Sequence, residues 1–186
     1  IGQLRHASPD LIRTRFGQGG EHFQRLAAGL DDRPVTPDSE AKSIGQEQTF
    51  RTDIGDLDEL ARVLLDQTQQ VARRLRRIEL KGRTVTLKLR YGDFTTVTRS
   101  GTFDEPTDVT ELLWRKARSL FDKWAATQFH PLRLLGMTVS QLTGHGGVQG
   151  SLFSDPTQAK QQRIDQAVDA IANRFGDNAI NRGGPK

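Results

Sequence analysis

The residues best able to do chemistry in this chain fall into three groups. The first gathers cations and hydroxyls on short Thr- and Ser-rich stretches: Lys42 and Ser43, Arg51, Lys88 and Arg90, and the run Thr95-Thr96-Val97-Thr98-Arg99-Ser100. Hydroxyls, guanidinium groups and backbone amides are the usual donors to phosphate oxygens, and they hold a nucleic acid without reading its sequence. The same composition fits the solvent face of an ordinary sheet, because Thr favours strands. The second group is Gln149-Gly150-Ser151-Leu152-Phe153, a glutamine followed by two adjacent apolar side chains in a Gly-rich stretch. Such a run either docks its two anchors into a partner's pocket or packs them back on its own domain. The third is Arg73, Arg74, Arg76 and Arg77, late in a helical stretch. These fit a charge–dipole arrangement on the solvent side of a helix C-terminus better than a second phosphate contact.

Catalytic chemistry is missing. His6, His22, His130 and His145 are scattered, and none has a partner at metal-ligand spacing. There is no P-loop and no dinucleotide fingerprint, and the glycine clusters at 17–20 and 144–147 lack the flanking strand and helix those motifs need. Asp31-Asp32 is a paired carboxylate with no third member to complete a Mg²⁺ site, and reads as a helix end and turn. No nucleophile–base pair stands out. The sequence predicts no catalytic residues and no cofactor for this chain.

The elements that position these groups can be read from periodicity. Residues 1–31 read as short helices broken at Gly17–Gly20, with Ser8 as a cap, and 32–42 as an extended linker around Pro34 and Pro37. A strand follows at about 43–52. Leu57 to Ile78 carries an unbroken apolar stripe at helical spacing, with Asp56 as N-cap and Glu59 three residues on. Thr84–Tyr91 alternates Val85, Leu87, Leu89 and Tyr91 against Thr84, Thr86, Lys88 and Arg90. Gly92-Asp93 predicts a two-residue type II′ hairpin turn into a returning strand, Phe94–Phe103. A helix at 108–126, capped by Asp108, and a strand at 132–142 complete the domain. The fold class is α+β, a split βαββαβ sandwich with two helices on one face of a four-stranded sheet and the other face open. Residues 143–156 read as a loop-like segment, 157–175 as a final helix stopped at Gly176, and 181–186 as disordered.

Composition agrees with a small domain and appendages: 186 residues, 34% hydrophobic, 27% charged, net charge +4 and no cysteine. The mild excess of base suits a nucleic-acid or acidic partner without requiring one. The absence of Cys rules out disulfides and Cys-ligated zinc and fits a reducing cytoplasm. No apolar run approaches the roughly 20 residues of a membrane span. The chain starts at Ile1 rather than Met, and reads as part of something longer.

Two stretches resemble a known family. Lys42-Ser-Ile-Gly-Gln-Glu-Gln-Thr-Phe50 and Arg83-Thr-Val-Thr-Leu-Lys-Leu-Arg-Tyr-Gly-Asp-Phe-Thr-Thr-Val-Thr-Arg-Ser100 resemble the entry and central hairpin of the little-finger domain of Y-family translesion DNA polymerases, the DNA polymerase IV type in particular. Arg15-Phe16-Gly17 and Ala28–Val35 resemble the end of that family's thumb and its tether. Gln149–Phe153 is similar to its sliding-clamp-binding peptide, departing at Gly150, where a bulkier apolar residue is usual. The resemblance implies a DNA grip on primer–template duplex through Lys42, Ser43, Arg51, Lys88, Arg90, Thr96, Thr98 and Arg99. It implies clamp tethering through Gln149, Leu152 and Phe153, and a Mg²⁺-dependent nucleotidyl transfer carried by palm carboxylates absent from this chain. The same strand order also fits a sheet-based RNA binder, which needs aromatic rings on its central strands. It fits a small-ligand regulatory domain too, and a module acting only through Leu152 and Phe153.

Overall fold

The computed structural model describes residues 1–36, 40–144, 156–176, 179–180 and 183. The run 149–153 and most of 181–186 lie outside the described residues. Contacts divide the chain into two units, Ile1–Glu40 and Ala41–Lys186. The first holds α1 (Gly2–His6), α2 (Pro9–Phe16), a 3₁₀ turn (Gly17–Gly19) and α3 (Gly20–Ala27). The Ser8 hydroxyl accepts from Leu11 N–H at 3.4 Å and caps α2. Gly20 lets α3 close on α2, since a Cβ there would lie 2.5 Å from Ile12 Cγ2.

The second unit runs β1 (Ser43–Ile54), α4 (Leu57–Arg77), β2 (Leu80–Tyr91), β3 (Thr96–Thr107), α5 (Thr110–Gln128), β4 (Leu132–Gly144) and α6 (Pro156–Phe175). The sheet order is β1-β4-β2-β3, and every neighbouring pair is antiparallel. The last strand therefore sits between β1 and β2. Each half of the domain is a split β–helix–β unit whose gap is filled by a strand of the other half.

The register fixes two faces. Ile44–Val139–Val85–Gly101, Gln46–Met137–Leu87–Arg99 and Gln48–Leu135–Leu89–Val97 run across the side that meets the helices. There Leu60, Leu64, Val71 and Leu75 of α4 and Leu113, Phe121 and Trp124 of α5 pack on Val85, Leu87, Leu89, Leu135, Met137 and Val139, all buried. The polar members of these rows, Gln46 and Gln48 on one edge and Arg99 on the other, sit where the helices no longer cover the sheet. Gln46 and Arg99 bond to helix residues there: Arg74 donates to Gly45 O at 3.1 Å and to Gln46 Oε1 at 3.0 Å. Arg99 donates to Gln128 Oε1 near the end of α5.

Both helices between strands, α4 and α5, carry start signals, but only one uses the expected cap. Asp56 Oδ1 accepts from the amides of Asp58 (2.8 Å) and Glu59 (3.2 Å), as its position predicts. Helix α5 begins two residues later than expected, at Thr110, and Asp108 does not cap it. The amide of Val109 reaches Thr107 Oγ1 at 3.1 Å, and the amide of Thr110 reaches Asp165 Oδ2, from α6, at 2.9 Å.

The same carboxylate stands 3.5 Å from Arg76 Nη1. Arg76 also forks onto Asp169 at 2.6 and 2.9 Å and donates to Asp108 O at 2.9 Å and Thr110 Oγ1 at 3.1 Å. Burial alone would pull its pKa down; the hydrogen bond to Asp169 and the charges of Asp165, Asp169 and Asp108 outweigh that and raise it. This corrects the sequence reading of the arginine cluster as a solvent-side charge–dipole arrangement. Only Arg77 fits it. Arg76 is covered by α6, Arg74 ties α4 to β1, and Arg73 donates to Asn173 Oδ1 at 2.8 Å.

Asp165 is 2% exposed, so its loss leaves a buried amide and a buried guanidinium short of a partner. Asp165→Ala is expected to lower stability by about 1–3 kcal/mol, read as a fall in the urea midpoint. Asp169→Ala, at a more exposed site, is expected to cost less.

Candidate nucleic-acid interface

The face away from the helices is a grid of short polar side chains. Register places four rows across it: Ser43–Ser140–Thr84–Thr102, Gly45–Thr138–Thr86–Ser100, Glu47–Gly136–Lys88–Thr98 and Thr49–Leu134–Arg90–Thr96. With strands about 4.8 Å apart and same-face residues about 6.8 Å apart, the grid is a nearly flat array of hydroxyls. Thr84 and Thr102 hydroxyls lie 3.0 Å apart. The one apolar member, Leu134, is buried between its row neighbours. No aromatic ring occupies any of the four rows, so the base-stacking requirement of the RNA-binder reading is unmet on this face.

Cations sit in the lower two rows. Lys88 Nζ donates to Glu47 Oε2 at 2.8 Å. The pair spans β4, whose residue in that row is Gly136; a Cβ at Gly136 would lie 2.8 Å from Glu47 Cβ. Glycine in the middle of the row is what lets the two long side chains meet over it. Arg90 Nε donates to Thr96 Oγ1 at 2.8 Å, which leaves the rest of its guanidinium fork for an outside acceptor.

Of the residues singled out in the sequence, the structure brings Ser43, Lys88, Arg90, Thr96 and Thr98 onto this one grid. Lys42 is exposed just before β1. Arg51 is exposed beside buried Phe50, beyond the regular β1 register, which breaks between Thr49 and Ile54. Arg99 is not on the grid. The register opposite β2 is regular from Thr96 to Thr102, so alternation pairs Arg99 with Leu87 on the helix side of an edge strand. Glu47 was missed; its acidic charge in the middle of a would-be phosphate surface is visible from the alternation of β1 alone.

The hairpin tip also differs from expectation. The turn is not a two-residue type II′ with glycine first. Strand β3 starts at Thr96, Phe94 N–H donates to Tyr91 O (3.0 Å) and Tyr91 N–H to Thr95 O (2.9 Å), and the left-handed residue is Phe94, at φ 67°. This is a three-residue loop closed by a residue in the left-handed region. Gly92 has a different reason to be glycine: a Cβ there would lie 2.1 Å from Asp53 Oδ2. Asp53 in turn pairs with Arg133, the extra residue at the β4 bulge between Leu132 and Leu134. Asp93 Oδ1 accepts from Thr95 N–H at 2.8 Å and Oδ2 from its hydroxyl at 2.9 Å. Those bonds, the backbone one first, hold the Asp93 carboxyl below its usual pKa.

The impB/mucB/samB family C-terminal domain matches residues 41–152. DNA polymerase IV of Desulfatibacillum aliphaticivorans is 40% identical over 97% of this chain and 46% of its own length. DNA polymerase IV 1 of Mesorhizobium japonicum is 36% identical over 98% of this chain and 41% of its own. The chain thus spans under half the length of these curated relatives. Among solved structures, the Y-family DNA polymerase chimera Dbh-Dpo4(243-245)-Dbh superposes with a TM-score of 0.54 at 14% identity, covering 76% of this chain and 41% of that one. That likeness concerns the fold. The match over most of the second unit makes this chain a member of the impB/mucB/samB family, carrying that family's C-terminal domain.

Proposed function

We propose that this chain is the DNA-gripping portion of a translesion polymerase, laying its open sheet face along the phosphates of a primer–template duplex. The observation that carries the reading is the four-row grid of hydroxyls with Lys88 and Arg90 set into it and no aromatic ring in any row. Such a surface grips backbone irrespective of sequence, which suits an enzyme that must hold damaged template.

The Mg²⁺ that the family resemblance implies belongs, on this reading, to the whole polymerase. Among the described residues no group of three or more His, Cys, Asp or Glu comes together to hold a metal. The nucleotidyl transfer, the metal ions and the palm carboxylates are assigned to the part of the polymerase outside this chain. Tethering to a sliding clamp through Gln149, Leu152 and Phe153 would raise the polymerase's effective concentration at stalled replication. A cytoplasmic location follows from that role; among the described residues no helix is long and apolar enough to cross a membrane.

Binding of this chain to a primer–template duplex, followed by fluorescence anisotropy, is expected to weaken steeply with salt, with a log–log slope of roughly −0.9 per phosphate neutralised. A salt-independent isotherm contradicts the phosphate reading. Lys88→Ala and Arg90→Ala are each expected to weaken binding and flatten the slope by about one unit. Glu47→Gln is expected to act in the opposite direction, because it releases Lys88 and removes a negative charge from the grid. If Glu47→Gln weakens binding, the grid is not the DNA surface. Leu152→Ala with Phe153→Ala is expected to abolish capture by the sliding clamp while leaving DNA affinity unchanged.

A further inference from the structure

We propose that Phe94 is a stacking platform for an unpaired base at the end of the duplex, an inference that rests on reading the open face as the DNA grip. The residue is unusual in three ways at once. Its side chain is 71% exposed. Its backbone is in the left-handed region, at φ 67°, where a bulky L-residue is strained and glycine is not. Among the described residues no ring contact of the domain involves it; Tyr91, on the other side of the turn, packs edge-on to His130 and accepts from Trp124 Nε1 at 3.0 Å instead.

The strained residue is held, not loose. Asp93 fixes Thr95 through two bonds, and Tyr91 bonds to both Phe94 and Thr95 through the backbone. Thr96 Oγ1 reaches back to Phe94 O at 3.3 Å and accepts from Arg90 Nε at 2.8 Å. Arg90 and Thr96 form the last complete row of the open face. A solvent-facing ring on a held backbone therefore stands just beyond the cation and hydroxyl that end the grid. Phosphate chemistry has no use for a phenyl ring, and a paired base hides its faces in the duplex stack. An unpaired base presents a flat π surface that an exposed aromatic accepts whatever its identity.

The test compares three ligands by anisotropy: a blunt duplex, the same duplex with a short single-stranded overhang, and that duplex with an abasic overhang of equal length. The wild-type chain is expected to prefer the base-bearing overhang by about fivefold or more over both others. Phe94→Ala and Phe94→Leu are expected to abolish the preference and leave blunt-duplex affinity unchanged. Phe94→Gly is expected to abolish it while raising the melting temperature, which separates loss of stacking from loss of fold. Equal binding of base-bearing and abasic overhangs by the wild type, or a preference that survives Phe94→Ala, overturns the proposal. If the wild type does not bind the blunt duplex, the open-face reading fails. Stacking is then judged on a single-stranded oligonucleotide, where equal affinity of wild type and Phe94→Ala overturns it too.

Discussion

A four-stranded sheet whose two crossover helices lie on the same side can bury only one of its faces, and most of this domain follows from that constraint. The β1–α4–β2 unit and the β3–α5–β4 unit run in opposite directions and step across the sheet in opposite senses. A common hand for both crossovers then brings both helices to one side. Strand β4, slotted between β1 and β2, locks the two units together, so neither half has a complete sheet without the other. The face left over must be tolerable in water. It is built largely from Thr, Ser and Gly, with Glu47, Lys88 and Arg90 as its long polar side chains.

The two-sided pattern was legible because it needs only alternation. Val85, Leu87 and Leu89 against Thr84, Thr86, Lys88 and Arg90 name both faces from β2 alone, and the stripe of α4 names what covers one of them. The same alternation, carried from Val97 along β3, sets Arg99 on the helix side rather than with the grip residues. The hairpin tip was misread because glycine at position 92 was taken to mark the left-handed residue. Here glycine answers to the side chain of Asp53, which lies close in space and far in sequence, and Phe94 takes the strained conformation. Local turn rules cannot see a crowding partner from another strand. The α6 contacts were hidden for the same reason. Asp165, Asp169 and Ala172 share one side of a helix, but nothing in their spacing names Arg76 as the group they meet.

The grid and the α6 contact use charge in opposite ways. On the grid, the Lys88–Glu47 pair is largely exposed, so its net contribution to stability is small, and exchanging Glu47 for an outside anion costs little. Beneath α6, Arg76 has a side chain only 15% exposed and is met by two carboxylates, a backbone carbonyl and a hydroxyl. A charge so enclosed is tolerated because carboxylates pair with it and hydrogen bonds take up most of its donors, and it ties α6 to the domain.

That seat has a temporal side. The amide of Thr110 is satisfied by a carboxylate 55 residues further along the chain. At a synthesis rate of about 5–20 residues per second, the start of α5 waits roughly 3–11 s for its partner to be made. Once β4 has been made the second unit has its sheet, but until Asp165 follows it has an open helix end beside an arginine short of its carboxylates. The domain is therefore finished from its far end, and a nascent chain arrested before Asp165 carries an exposed flaw at a place that looks, in sequence, already complete.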